Sequence, residues 1–360
     1  MTPPEQPLKA LVVDDSALFR KIVREVLQQI PGVEVVGTAA NGRAALERIV
    51  DDRPDFITLD LEMPELDGLG LLRELAVRDL DVKAVMISSQ TSTGAQATSA
   101  ALQLGAFDFV LKPHAAQPAA NAEQLRRQLE PKVAAIASTI GHRRVRIEPP
   151  QPAPPPRPAE RAGKFATPKI VGIGVSTGGP AALSRILPRI PGDFPCPIVI
   201  VQHMPPMFTK SLAEDLNRSC RLEVLEAYDG CVAVPGKIFI APGGKQMRVS
   251  MLTGRPVIQI TDDPPERHCK PSVDYLFRSL ASHFGPEALG VILTGMGDDG
   301  TIGCRHLRER GARIIAQDQA TCVVYGMPKS VFEAGLVDQV EPLDRIVPSL
   351  VSAATVEAAV

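Results

Sequence analysis

Short continuous apolar runs, each followed by a segment of helical periodicity, recur along most of this chain, and that alternation narrows the choice of folds more than any other feature. In residues 8 to 140 the strand-like runs are "ALVVDD", "VEVVGTA", "DFITLDL", "KAVMISS" and "AFDFVLKP". Between and after them lie "SALFRKIVREVLQQI", "GRAALERIVDD", "GLGLLRELAV", "TGAQATSAALQLG" and "AEQLRRQLEPKVAAIAS". In the first of these, Leu18, Ile22, Val26 and Ile30 recur at helical spacing. Parallel strands need crossover connections, and helices on both faces bury the sheet, so the pattern predicts a five-stranded parallel α/β sheet. Ligands of such sheets bind beyond the carboxyl ends of the strands.

The periodicity stops at "EPPQPAPPPRPAERAGKFATP", residues 148 to 168. Proline fixes φ and removes backbone donors, so this segment reads as an extended, semi-rigid spacer. A second alternation begins at residue 169. "KIVGIGV", "CPIVIVQHM", "GKIFIAP", "ALGVILTG", "ARIIAQD" and the region of "LVDQV" read as strands, and "PAALSRILPRI", "MFTKSLAEDLNRSC", "SVDYLFRSLASHFG" and "TIGCRHLRERG" as helices. "MRVSMLTGRPVIQITD" alternates at period two across "TGRP" and predicts an antiparallel hairpin. The expected organisation is a first α/β domain over 1–140, a linker over 141–168, and a doubly wound, mostly parallel α/β domain with a β-hairpin over 169–360.

The net charge of −2 gives no general attraction to nucleic acid or anionic membranes. The N-terminus turns acidic within fifteen residues and lacks the apolar core of a secretory signal. No apolar run reaches the length of a membrane span. These features predict a cytoplasmic protein without membrane insertion. Cys196, Cys220, Cys231, Cys269, Cys304 and Cys322 have no C-x-x-C spacing and read as reduced thiols.

In the first domain Asp14 and Asp15 close the first strand, Asp60 the third, Ser88 the fourth and Lys112 the fifth. Carboxylates gathered at one sheet edge repel, and hard oxygen ligands suit Mg²⁺. With a hydroxyl and an ammonium added, the set is what a phosphoryl group needs, and Asp60 is the candidate nucleophile for an acyl phosphate.

The second domain opens on "VGIGVSTGGP". The dinucleotide fingerprint G-x-G-x-x-G fails here, because Gly172 and Gly174 are followed by Thr177 where the third glycine belongs, and no acidic residue ends the next strand. Gly174 to Gly178 instead fits G-x-S-x-G, a sharp strand-to-helix turn presenting Ser176 as nucleophile. Of the histidines, His203 alone ends an apolar strand, well placed to act as the base. The turn "LTGMGDDG" offers Asp298 or Asp299 as the acid. The chain order Ser, His, Asp differs from that of α/β-hydrolases, chymotrypsin and subtilisin, so the triad sits on another fold.

The motifs "VVDDS", "LDLEMPELDG", "MISS" and "FVLKP" resemble the receiver domain of two-component response regulators, which is flavodoxin-like. The motifs "GVSTGGP", "VQHMPPMFTKSLAEDLN", "IAPGG", "PSVDYLFRSLA", "VILTGMGDDGTIG" and "AQDQATCVVYGMPKSV" resemble the catalytic domain of the chemotaxis methylesterase CheB. The resemblance implies Asp60 as phospho-acceptor, Asp14 and Asp15 on Mg²⁺, and Glu62 contacting the metal through its backbone carbonyl. It implies Ser88 and Lys112 sensing the phosphoryl group, and Phe109 at the aromatic switch position. Mapping G-x-D-G makes Asp299 the acid and Asp298 a variable position. On the reading of the residues themselves, backbone amides near Thr177 and Met296 would hold the oxyanion, and that domain needs no metal. The implied activity is phosphorylation-activated hydrolysis of glutamate γ-methyl esters on chemoreceptors, with deamidation of receptor glutamines and a chemotaxis histidine kinase as phosphodonor. The resemblance also implies that the receiver obstructs substrate access until phosphorylated. The rival within this framework is a degenerate, signalling-only protein. A transcriptional regulator would need a basic helix-turn-helix after the linker, and none is legible.

Overall fold

The computed structural model describes residues 6–89, 91–113, 118–144 and 165–355, with the backbone alone at 118–119 and 141–144. The Pro-rich stretch and His114 therefore lie mostly or wholly outside the described residues. The chain divides into two compact units, Met1–Gln151 and Pro152–Val360.

The first unit runs β1 (Leu8–Val13), α1 (Ala17–Gln28), β2 (Val33–Ala39), α2 (Gly42–Asp52), β3 (Phe56–Asp60), α3 (Gly68–Val77), β4 (Lys83–Ser88), α4 (Ser92–Gln103), β5 (Asp108–Leu111) and α5 (Pro118–Arg144). The sheet order is β2-β1-β3-β4-β5, parallel throughout. Side-chain caps explain the crisp helix starts. Ser16, Asn41, Asp67 and Thr91 each accept the amide three residues on, satisfying a donor the helix leaves unpaired. Helix α5 carries Pro131 in its interior and extends to Arg144. Strand order reverses between β1 and β3, so the ends of these two strands flank the crevice where such sheets bind ligands.

The second unit is built on β6 (Ile170–Val175), α6 (Gly179–Ile186), β7 (Ile198–Gln202), α7 (Phe208–Asn217), β8 (Glu223–Glu226), β9 (Lys237–Ile240), β10 (Gln246–Leu252), β11 (Arg255–Thr261), α8 (Val273–Phe284), β12 (Ala288–Ile292), α9 (Thr301–Glu309), β13 (Arg313–Gln317), α10 (Met327–Glu333), β14 (Gln339–Glu341) and α11 (Leu343–Thr355). Seven strands form one sheet in the order β14-β13-β12-β6-β7-β9-β8, with every pairing parallel. Strand β8 and helices α10 and α11 are additions to the sequence reading.

The hairpin β10–β11 forms a separate two-stranded antiparallel sheet. Its two-residue turn places Thr253 at φ 49° and Gly254 at φ 79°, the doubly left-handed geometry that suits a twisted hairpin. Its inner residues Met247, Val249 and Ile258 are fully buried. The buried Gln246 Oε1 accepts the Ser272 amide at 2.9 Å, which ties the hairpin to the start of α8.

The glycines of "VGIGV" have a packing role. A Cβ built at Gly172 would lie 2.5 Å from Leu280 Cδ1, and one at Gly174 would lie 2.5 Å from Val273 Cγ1. Strand β6 thus lets α8 settle against the sheet backbone. Phe277 of α8 is fully buried at this contact, and truncating it to alanine is expected to cost about 3–5 kcal/mol. The close approach brings the N-terminus of α8 to the carboxyl edge of the sheet. Strand order reverses at β6 and β12, so that edge is also the crevice.

Candidate active site and phosphoryl pocket

Ser176 follows β6 in a turn fastened to its neighbours. Its amide donates to Thr294 O at 3.0 Å, and its carbonyl accepts the Gly179 amide at 2.7 Å and Gln202 Nε2 at 3.0 Å. Thr294 Oγ1 donates to Thr177 O at 3.0 Å, and Thr177 is buried. Gly178 takes φ 77°, a left-handed value at which a Cβ would also meet Val323. At Gly295 a Cβ would lie 2.9 Å from Ser176 Cβ and 2.3 Å from Met327 Sδ, so the loop after β12 presses directly on the serine. The half-buried Met296 lies in that loop.

His203 follows β7, the strand beside β6, and its amide donates to Val175 O at 3.2 Å. Its Nε2 lies 2.7 Å from Asp299 Oδ2. Asp299 is 3% exposed. Its Oδ2 also accepts the Val273 amide at 2.7 Å, and its Oδ1 accepts Ser272 Oγ at 2.9 Å and the amides of Asp274 and Gly300 at 3.0 Å. Burial opposes the charge on Asp299, but the hydrogen bond and charge of His203 and the α8 amides hold its carboxyl below the usual range. An ionised Asp299 makes His203 Nε2 the donor, so Nδ1 is the proton acceptor when the imidazole is neutral. Burial also opposes protonation of His203, yet the hydrogen bond to Asp299 and the neighbouring Cys269 push its pKa up to about 9. Asp298 is exposed and pairs instead with Arg267.

A second buried carboxylate, absent from the sequence reading, supports this arrangement. Asp274 is 1% exposed and accepts the Gly300 amide at 3.0 Å and the Gly303 amide at 2.7 Å, binding the start of α9 to the start of α8. Burial, reinforced by the charge of Asp299, pushes its pKa up to about 6. Its only sequence signal was an aspartate in the first turn of a helix, where carboxylates are ordinary.

In the first unit, Asp14, Asp15 and Asp60 bring carboxylate oxygens within 4.8 Å of one another. Asp14 and Asp60 are buried and Asp15 is exposed. Lys112 Nζ donates to Asp60 Oδ2 at 2.7 Å and lies 3.3 Å from Asp14 Oδ2. Burial disfavours the Lys112 charge, but Asp60 and then Asp14 outweigh it and raise its pKa. Burial and the Asp60 charge push Asp14 up to about 6. Asp14 Oδ2 accepts no hydrogen bond from the described residues, since the Lys112 contact is an ion pair by distance only. A buried oxygen without a donor, beside two further carboxylates, fits a hard divalent cation such as Mg²⁺. The Glu62 side chain is exposed. Ser88 is buried at the end of β4, where its hydroxyl accepts from Thr98 Oγ1 at 2.7 Å and faces Gly94 O at 3.3 Å. Phe109 is buried on β5.

Residues 171–350 match the CheB methylesterase family, and residues 10–122 match the response regulator receiver domain. A protein-glutamate methylesterase/protein-glutamine glutaminase of Desulfotalea psychrophila is 50% identical over 355 residues, covering 96% of this chain and 98% of its own. One of Alkalilimnicola ehrlichii is 41% identical over 384 aligned positions, covering 94% and 97%. The crystal structure of the Thermotoga maritima CheB methylesterase catalytic domain aligns with 52% of this chain and 99% of its own, at 43% identity and a TM-score of 0.51. With a receiver domain at residues 10–122 and an esterase domain at 171–350, the chain belongs to the CheB methylesterase family.

Proposed function

We propose that this protein hydrolyses glutamate γ-methyl esters on methyl-accepting chemotaxis receptors in the cytoplasm, and deamidates receptor glutamines, under control of phosphorylation at Asp60. The observation that carries the reading is the His203–Asp299 hydrogen bond of 2.7 Å, one strand over from the turn that bears Ser176. His203 Nδ1 takes the proton of Ser176 Oγ as the oxygen attacks the γ-carbonyl. Asp299 holds the ring and stabilises the imidazolium. The amides of Thr177 and Met296 are the candidate oxyanion donors, each contributing about 3 kcal/mol. The tetrahedral adduct collapses as His203 returns the proton to the departing methoxide, which leaves as methanol. Water, deprotonated by His203, then hydrolyses the glutamyl ester and restores Ser176. With a glutamine substrate the leaving group is ammonia.

In the receiver, Asp60 is the acceptor for a phosphoryl group from a chemotaxis histidine kinase. Mg²⁺ held by Asp14, Asp15 and Asp60, with the Glu62 carbonyl, would neutralise charge between carboxylate and phosphoryl. Lys112 exchanges its bond to Asp60 for the phosphoryl oxygens, and Ser88 turns from Gly94 to meet them. Phe109 follows by repacking, and this shift releases the esterase.

The test is methanol release from methylated chemoreceptor membranes by the full chain and by Ser176→Ala. Release by the wild type and none by the variant supports the reading. Release by neither supports the signalling-only alternative.

A further inference from the structure

Beside the His203–Asp299 pair stands a thiol that the esterase chemistry leaves unused. Cys269 lies between the hairpin and α8, half-buried, and its thiol reaches the Arg267 carbonyl only at a long 3.7 Å. Its sulfur, a His203 ring nitrogen and an Asp299 oxygen all lie within 4.8 Å of one another. The backbone fixes the position of this thiol. Cys269 N donates to Glu266 O at 2.7 Å, Glu266 N returns the bond at 3.1 Å, and Gln246 Nε2 donates to Cys269 O at 3.3 Å. Cys196, Cys231 and Cys304, by contrast, are buried.

Thiolate, imidazole and carboxylate together form a mixed sulfur, nitrogen and oxygen set that suits zinc and discriminates against magnesium. Bond lengths of about 2.0–2.3 Å in a tetrahedral shell put ligand atoms roughly 3.3–3.8 Å apart. A modest closing of the present cluster reaches that spacing. The His203 side chain is 17% exposed, so an ion has access and its fourth position can keep water.

We propose that His203, Cys269 and Asp299 form an inhibitory binding site for a thiophilic divalent cation, with zinc the best fit. On binding, the Cys269 thiol loses its proton to solvent, the ion takes the place of the proton between His203 Nε2 and Asp299, and that proton moves to Nδ1, the nitrogen that would serve Ser176. Ser176 then has no base, and the esterase stops while the receiver still accepts phosphoryl. The inhibitory consequence rests on the esterase reading above, but the metal site itself does not.

The experiment uses the full chain in excess Mg²⁺, which occupies hard oxygen sites. Co²⁺ is titrated while thiolate-to-cobalt charge-transfer absorption is followed, and Zn²⁺ is titrated into the methanol-release assay. The wild type is expected to show the charge-transfer band and zinc inhibition. Cys269→Ser and Cys269→Ala are expected to lose the band, and their inhibition, scaled to each variant's zinc-free rate, is expected to need at least tenfold more zinc. His203→Ala is expected to lose or strongly weaken the band, with circular dichroism checking its fold. Absence of the band in the wild type, its persistence in both Cys269 variants, or equal zinc sensitivity in wild type and variants overturns the proposal. A wild type that releases no methanol overturns the esterase reading instead, and the cobalt spectrum still decides the site.

Discussion

Both domains place buried carboxylates at the carboxyl edge of a parallel sheet, and they treat them in opposite ways. Asp299 is met on both oxygens by amides, a hydroxyl and an imidazole. Among the described residues, Asp14 is left with one buried oxygen that accepts no hydrogen bond, beside Asp60 and a lysine that both acids share. The difference shows in proton affinity: the hydrogen bonds hold Asp299 low, and burial pushes Asp14 up to about 6. A fully satisfied carboxylate chiefly orients something else, and a cation reaches it only by displacing one of its donors. An under-satisfied one is ready to take up a cation and to exchange its partners. The His203–Asp299 pair is therefore fixed in place, and the carboxylates of the receiver are placed to exchange partners.

The largest effect that would break this contrast is at Ser176. Ser176→Ala should lower methanol release by at least about 10⁴-fold without loss of structure. A rate within tenfold of wild type would remove the serine from the chemistry.

Asp299→Asn should cost about 10³- to 10⁴-fold, because the amide no longer holds the productive tautomer. It should also move the pH profile. With the His203 pKa pushed up to about 9, the neutral base accumulates only as pH rises through that value, so the wild-type rate climbs into the alkaline range. Without the Asp299 charge, the midpoint should fall toward the ordinary value of about 6.5. An unshifted midpoint across the pH series would mean that Asp299 does not set the base.

Lys112→Ala tests the receiver side. Removing the counter-charge leaves buried Asp14 and Asp60 facing each other and should destabilise the receiver by a few kcal/mol. Millimolar Mg²⁺ should restore much of this, raising the melting temperature of the variant more than that of wild type. Equal Mg²⁺ effects on both in thermal denaturation would count against a cation at these carboxylates.

The smallest effect is at Asp274. Asp274→Asn keeps an acceptor oxygen for Gly300 and Gly303 and should stay within tenfold of wild-type activity. Asp274→Ala leaves buried amides unpaired and should cost about 1–3 kcal/mol, a melting-point loss of several degrees. If the asparagine variant loses as much stability as the alanine variant, the carboxylate charge is what matters, and the contrast between the two sites weakens.

Much of this was legible in sequence because the strands are continuous apolar runs that end abruptly in polar residues. Ser176, His203 and Asp60 are each marked by such an ending, and the strand order brings neighbouring ends together. What supports those residues was not legible. Ser272 and Asp274 meet Asp299 where β6 carries glycine beneath α8, and Cys269 nears His203 through its ties to Glu266 and Gln246, contacts between segments far apart in the chain. The same holds for Gln202, whose amide braces the serine turn and whose neighbour Gly179 has no room for a side chain. Strand β8 is a short edge strand with half-exposed residues. Helices α10 and α11 carry prolines that mask their periodicity, one at the first turn and one inside.

In the proposed reading, the phosphoryl pocket at Asp60 governs the esterase at Ser176. The most direct test is methanol release from methylated receptor membranes by the full chain, with and without a small phosphodonor and Mg²⁺, alongside Asp60→Asn. Phosphodonor is expected to raise release by the wild type and to leave the Asp60 variant unchanged. Release by the wild type that ignores phosphodonor would contradict the regulatory link and leave an unregulated esterase.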